Sequence, residues 1–175
     1  KNKIEKFVDD QNADVVLLQE YGTNKKYHFN GMKEGPQSYV ITIFTKHKIV
    51  EHKQLIKSDY IYNNAYVSHT DIEIRGKMYR FINVYLQPFK FKKNMVKLNG
   101  NSEEDEQKVK DVVKRLIPTF KMHQEQIIAI RKSIDESPYP VILAGDFNSV
   151  PNSYEYYHLL EGLQDAFVEA GRGSG

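Results

Sequence analysis

Apolar positions along the chain recur with the period of a helix in some stretches and of a strand in others. Ile4, Phe7 and Val8 are spaced three and four apart, one face of a helix that ends near Gln11 and Asn12. Val15 to Leu18 reads as a short buried strand ending in Gln19-Glu20. Tyr21 to Gln37 has little period and is expected to be a loop. Tyr39 to Thr45 and Ile49 to Ile56 read as consecutive strands joined by a Lys46-His47-Lys48 turn. Ala65 to Ile74 alternates apolar and polar residues, and Met78 to Leu86 returns after Arg75-Gly76-Lys77, which predicts an antiparallel hairpin.

The second half of the chain is more helical. Ser102 is expected to cap a helix whose first turn holds Glu103, Glu104 and Asp105, acidic residues that complement the helix dipole. Val109, Val112, Val113 and Leu116 mark its expected buried face. Pro118 should interrupt it, and Thr119 can cap a second helix whose Ile127, Ile128, Ile130 and Ile134 cover a sheet as far as Ser137-Pro138. Pro140 to Ala144 then reads as a short buried strand that stops at Gly145. Ser153 caps a short helix through Leu160. Periodicity alone therefore supports alternating α and β elements.

The bulk numbers change this picture little. The 175 residues suffice for one domain with a substantial core, and residues 1–175 are read as a single domain. The 25 basic and 23 acidic residues give a formal net charge of +2, too balanced to argue for nucleic acid from charge alone. The chain has no cysteine, which excludes disulfides and thiolate metal sites. No apolar run is long enough for a transmembrane helix. The chain opens on Lys1 with no signal-like segment, so compartment and oligomeric state are not read from it, and a membrane tether outside it stays open.

Candidate chemistry concentrates where strands end. After Gly145 come Asp146 and Asn148, a carboxylate and a carboxamide that can be aimed at one point beyond the strand, where α/β sheets usually hold ligands. An Asx-type turn explains the same pair without chemistry. Glu20 stands at another strand mouth and is either a metal ligand or a solvated strand end. Tyr85, near the end of its strand, is either a phosphate donor or a packed aromatic; a phenol cannot act as a base near neutral pH. Asn83 reads as a supporting residue. His47 and His52 read as surface residues, and Lys46 and Lys48 as an exposed basic turn or phosphate contacts. His123 reads as helix surface or a packed polar residue. The Lys-rich stretch from Gln87 to Asn101, with Phe89 and Phe91, suits a nucleic acid or lipid surface, or simply a solvated loop.

Four segments in order carry a resemblance: Asp14-Val-Val-Leu-Leu-Gln-Glu20, Tyr39-Val-Ile-Thr-Ile-Phe-Thr-Lys46, Phe81-Ile-Asn-Val-Tyr-Leu86, and Pro140-Val-Ile-Leu-Ala-Gly-Asp-Phe-Asn148. Together they resemble the endonuclease/exonuclease/phosphatase superfamily, the group of deoxyribonuclease I, apurinic endonucleases, neutral sphingomyelinases and inositol-polyphosphate phosphatases. The resemblance implies an α/β fold, a four-layer sandwich of two mixed, mainly antiparallel sheets flanked by helices. It implies a Mg²⁺- or Mn²⁺-dependent phosphoesterase with Glu20 as metal ligand, Asp146 orienting or deprotonating water, and Asn148 and Tyr85 binding the phosphate. Gln19 becomes a supporting residue and Asp165, in Leu163-Gln-Asp-Ala-Phe167, a structural one. Many members have His where this chain has Tyr85. The family's first strand, with an Asn, and its closing segments, with a Ser-Asp-His triplet, have no match here; residues 1–175 alone are expected to be inactive or nearly so, with open sheet edges. The substrate class is left among nucleic acid, phospholipid head group and small phosphorylated metabolite, and the alternative is a binding module that has lost its acid/base.

Overall fold

The computed structural model describes residues 2–22, 26–56, 65–89, 100 and 102–172. In chain order these form α1 (Lys3–Asp10), β1 (Val15–Leu18), β2 (Lys33–Glu34), β3 (Thr42–Thr45), β4 (Lys48–Gln54), β5 (Tyr66–Ile74), β6 (Lys77–Tyr85), α2 (Ser102–Asp135), β7 (Val141–Asp146), α3 (Tyr154–Leu160) and α4 (Ala166–Ala170).

The strands divide into two sheets, ordered β1-β3-β2 and β4-β5-β6-β7. Every pairing is antiparallel except β6 with β7, which is parallel. Alternation along the strands explains why two sheets stack. On β5, Val67, His69 and Asp71 face α2, and the intervening Tyr66, Ser68, Thr70 and Ile72 face the other sheet. Val67, Ile82, Val84 and Leu86 pack with Ile127, Ile130 and Ile134 of α2 and Leu159 of α3. Each such side chain contributes about 1.5–3 kcal/mol on burial. Outside the first sheet, Tyr21, Phe29 and Phe44 form a second cluster with Val8, Val16, Leu18, Tyr27 and Met32. The order of layers is thus helix, sheet, sheet, helix, an α/β sandwich.

The β5–β6 hairpin follows the expected alternation. Arg75 and Gly76, at φ +52° and +77°, are left-handed in succession, the backbone that matches the twist of a tight hairpin. Ser153 caps α3, accepting from the Tyr156 N–H at 3.2 Å. Asp165 caps α4 through the N–H groups of Phe167 and Val168 and also accepts the Tyr156 hydroxyl at 2.8 Å.

β3 and β4 are consecutive strands, as expected, and they lie in different sheets: β3 has both edges taken by β1 and β2, so β4 crosses to the other sheet and pairs with β5. Several expectations need correction. The aperiodic 21–37 segment contains β2 and the aromatic pair Tyr27 and Phe29, stacked at 5.9 Å. Pro118 does not divide the helix: α2 runs through it for 34 residues. Proline removes the N–H that would reach the Lys114 carbonyl; both residues are exposed, so solvent can take that bond. Along that half of α2, Val109 and Val113 are exposed rather than buried, as are Ile117 and Phe120, and Ile128 is exposed further on. Residues 90–99 and 101 of the expected Lys/Phe loop lie outside the described residues.

Candidate active site

The sequence-marked residues converge at one end of the stacked sheets. Asn83, on β6, is buried between them. Its Nδ2 donates to the Leu18 carbonyl at 3.2 Å and the Thr42 carbonyl at 2.9 Å, and its Oδ1 accepts from Gln19 Nε2 at 2.7 Å. One carboxamide from the second sheet thereby fixes the ends of β1 and β3 in the first. Two residues beyond Leu18 the chain turns out at Glu20, with φ +53°. A non-glycine residue held in the left-handed region is uncommon, and such conformations cluster where chemistry is done.

Glu20 is exposed, and its Oε1 accepts the Tyr85 hydroxyl at 3.1 Å. Tyr85 is half-buried and stacked on Tyr66 with ring centres 6.4 Å apart. Burial, the hydrogen bond to Glu20 and the negative charges of Glu20 and Asp146 push the Tyr85 phenol up to about 12. The hydroxyl therefore stays a donor at any physiological pH.

Asp146 stands directly opposite Tyr85 in the parallel β6–β7 register. Gly145 permits this approach. A Cβ there would lie 2.0 Å from the Val84 carbonyl oxygen, closer than any side chain tolerates. After Asp146 the chain makes an Asx turn, the Asn148 N–H donating to Asp146 Oδ1 at 2.9 Å. Asn148, at φ +44°, also donates from Nδ2 to the Leu86 carbonyl at 2.9 Å. One N–H of its carboxamide is thus committed, which orients the group and leaves the other as a donor.

The oxygen donors suit a hard cation of the Mg²⁺ kind, which binds through one or two carboxylates and keeps waters and substrate phosphates in its shell. Glu20 and Asp146 offer that set. Among the described residues no group of three or more His, Asp or Glu stands ready to enclose a metal. His47, His52, His69, His123 and His158 bond to Asp14, Thr70, Ser133, Glu155 and the Tyr154 carbonyl, none of them part of this site. His52 is half-buried between the sheets, with Ser38 at 3.4 Å and Thr70 at 2.8 Å, and is not the surface residue expected of it.

Sequence reasoning missed a buried polar group beside the Asn148 loop. His123, fully buried on α2, meets Glu155 through Nδ1 and the Gln87 carbonyl through Nε2 at 2.7 Å. His123 is therefore the packed polar residue of the two readings. Burial works to raise the Glu155 pKa, but its own backbone amide, His123 and Ser153 outweigh burial and hold the carboxyl below its ordinary value. Glu155 Oε2 nevertheless has no hydrogen bond of ordinary geometry. No spacing rule joins positions 87, 123 and 155; only the acidic residue following a Ser cap hinted at that turn.

A profile of the Endonuclease/Exonuclease/phosphatase family matches residues 1–174. The chain belongs to this family. Members of the family are hydrolases acting on phosphoesters. No curated protein matches the chain significantly. Among solved structures, the human Nocturnin catalytic domain with bound sulfate is similar with a TM-score of 0.57 at 14% identity, over 98% of this chain and 67% of that one. Humanized TDP2 of D. rerio gives 0.54 at 16% identity, over 93% of this chain and 59% of its own. Beta toxin of Staphylococcus aureus gives 0.54 at 20% identity, over 87% of this chain and 59% of its own. At these identities the likeness is one of fold. The chain spans about 59% of the TDP2 chain.

Proposed function

We propose that this chain carries the phosphate-handling face of a divalent-metal-dependent phosphoesterase that hydrolyses a phosphodiester or phosphomonoester by in-line attack of water. The observation that carries the reading is the meeting of Glu20 from one sheet with Tyr85 and Asp146 from the other, at one sheet end. Held at Glu20, Mg²⁺ or Mn²⁺ would supply positive charge to a phosphate oxygen and to the leaving oxygen. Asp146 orients a water and accepts its proton, with one carboxylate oxygen already fixed by the Asx turn. The free N–H of Asn148, and the single Tyr85 hydroxyl proton once it turns from Glu20, donate to the phosphate oxygens as charge develops on them; one such donor is worth about 10²–10³ in rate. Tyr85, with its phenol held protonated, serves as donor and never as base.

The substrate is an ester of phosphate. A TDP2 structure of the same fold holds a single-strand DNA product, which supports a nucleic acid among the candidate phosphate esters. A second reading is a binding module without its acid/base: among the described residues no histidine ring hydrogen-bonds to Asp146, and five of them are bonded elsewhere. Turnover of bis-p-nitrophenyl phosphate by the natural full-length protein, with and without Mg²⁺, separates the two. Metal-dependent turnover that collapses in both Glu20→Ala and Asp146→Ala supports the hydrolase. Metal binding at Glu20 without turnover supports the module.

A further inference from the structure

Seam positions along α2 recur at alternating intervals of four and three. In the second half of the helix they are His123, Ile127, Ile130 and Ile134, all buried, and the three isoleucines pack with Val67, Ile82 and Val84 of the second sheet. In the first half the same seam continues as Val109, Val113, Leu116 and Phe120. Here it faces water: Val109 is 52% exposed, Val113 45% and Phe120 46%, with Ile117 beside them at 49%. A seven-residue period carried through both halves marks one continuous face for burial, and among the described residues the fold covers only half of it. Leu116 and Phe120 also line an open hollow of about 470 Å³ with Phe89 and Val150, where a side chain of an opposing helix can seat.

Charge decides what kind of surface fits. The first turns hold Glu103, Glu104, Asp105 and Glu106, and the turns that follow carry Lys108, Lys110, Lys114 and Lys121, with Asp111 among them. Lys110 pairs with Glu106 at 2.6 Å and Lys108 with Asp105 at 3.5 Å, and these pairs leave the separation of sign along the helix in place. An anionic lipid surface attracts the lysines and repels the four carboxylates. A second α2 running in the same direction sets like charge against like. Reversed in direction, it sets carboxylates against lysines at both ends and apolar seam against apolar seam, the self-complementarity that a two-fold axis across the helix requires. We propose that the exposed first half of α2 is a homodimer surface, which pairs antiparallel with the same segment of a second copy of this protein. The inference does not depend on the phosphoesterase reading.

Analytical ultracentrifugation of the natural full-length protein over a concentration series tests it. One helix face is a small interface, of the class below about 1,200 Å² that forms weak complexes, so a dimer with a Kd of roughly 1–100 μM is expected. Three variants accompany the wild type, with folding read by circular dichroism. Val113→Glu puts a charge in the seam at a residue the core does not use. Glu104→Lys/Glu106→Lys makes both ends basic, and Lys114→Glu/Lys121→Glu makes both ends acidic. Each should raise the Kd about 10-fold or more. An equimolar mixture of the two charge-reversed proteins should dimerise like wild type, since each end again meets its opposite; that recovery also shows that both variants are folded. A wild type that stays monomeric throughout the series overturns the proposal, as does a dimer that survives Val113→Glu. A dimer abolished by Val113→Glu but not restored by mixing overturns the antiparallel arrangement. Co-sedimentation of a monomeric wild type with phosphatidylcholine/phosphatidylserine vesicles, lost in Val113→Glu, overturns the dimer in favour of a lipid surface.

Discussion

Replacing Asn83 with leucine probes the joint between the sheets. The two side chains have similar volume, so the change deletes hydrogen bonds without opening a large cavity. Three are lost: the two donated to the Leu18 and Thr42 carbonyls and the one accepted from Gln19. Asn83 is 3% exposed, so water does not readily replace them. A buried polar group left unsatisfied costs about 1–3 kcal/mol. With three groups affected and Gln19 free to swing partly outward, the loss is about 3–5 kcal/mol, a large share of the ~5–15 kcal/mol that stabilises a domain. For a chain of this size each kcal/mol lowers the melting temperature by about 2–4 °C, so a fall of about 10 °C is expected. Urea unfolding gives the free energy directly. Gln19→Ala, which deletes only the third bond, should lose about 1 kcal/mol. Because Leu18 leads into Glu20, the Asn83 variant should also bind Mg²⁺ more weakly at temperatures where it is still folded. An Asn83→Leu protein within about 1 kcal/mol of wild type would refute the claim that this carboxamide joins the sheets.

Gly145→Ala should fail for a different reason. Its Cβ would meet the Val84 carbonyl oxygen at 2.0 Å, so the β6–β7 ladder must open; we expect a loss of about 3 kcal/mol or more by thermal melt, and an unchanged melting temperature would contradict it. The buried Arg80–Asp71 pair, bonded at two points of 2.8 Å, should lose about 3–5 kcal/mol in Arg80→Met, with most of it regained in Arg80→Met/Asp71→Leu; equal loss in both proteins would refute the pairing argument. The Tyr85 phenol, raised from 10 to about 12, contributes stability fully present below pH 10 and lost as pH rises through 12. Tyr85→Phe should therefore unfold less steeply than wild type over that alkaline window in a circular dichroism titration. Asp165, held below 3.8 by Tyr156 and two backbone amides, contributes stability present above pH 3.8 and lost as pH falls through its folded value. Asp165→Asn should flatten the acid limb of stability against pH, and an unchanged limb would remove the cap from the account.

How much of this was legible beforehand depends on the range of the signal. The β5–β6 hairpin, the Ser153 cap and the strand before Asp146 are written locally, in alternation and in turn chemistry, and the structure has them within a residue or two. Errors arose where a distant partner decides. Nothing near Lys46 says that β3 is already flanked on both sides, so the sequence does not tell which sheet the following strand joins. Helical spacing at Val109, Val113 and Leu116 predicts an apolar face but not what covers it, and Val109 and Val113 are exposed. At the site, motif order placed Glu20, Tyr85, Asp146 and Asn148 on strand ends that the fold does bring together. The links that bring them together, from Gln19 to Asn83 and from His123 to Glu155, span 64 and 32 positions and leave no periodic trace.

The contact between Tyr85 and Glu20 crosses from one sheet to the other, over 65 positions of chain. Neither sheet alone holds the whole of the candidate site. A collapsed state with both sheets hydrogen-bonded but their mutual packing loose would keep its circular dichroism and lose the candidate site. On the proposed phosphoesterase reading, competence to handle a phosphate ester would be lost as soon as the two sheets part. Substrate or metal binding at this end would therefore act as a clasp, resisting the separation of the layers long before it affects either sheet.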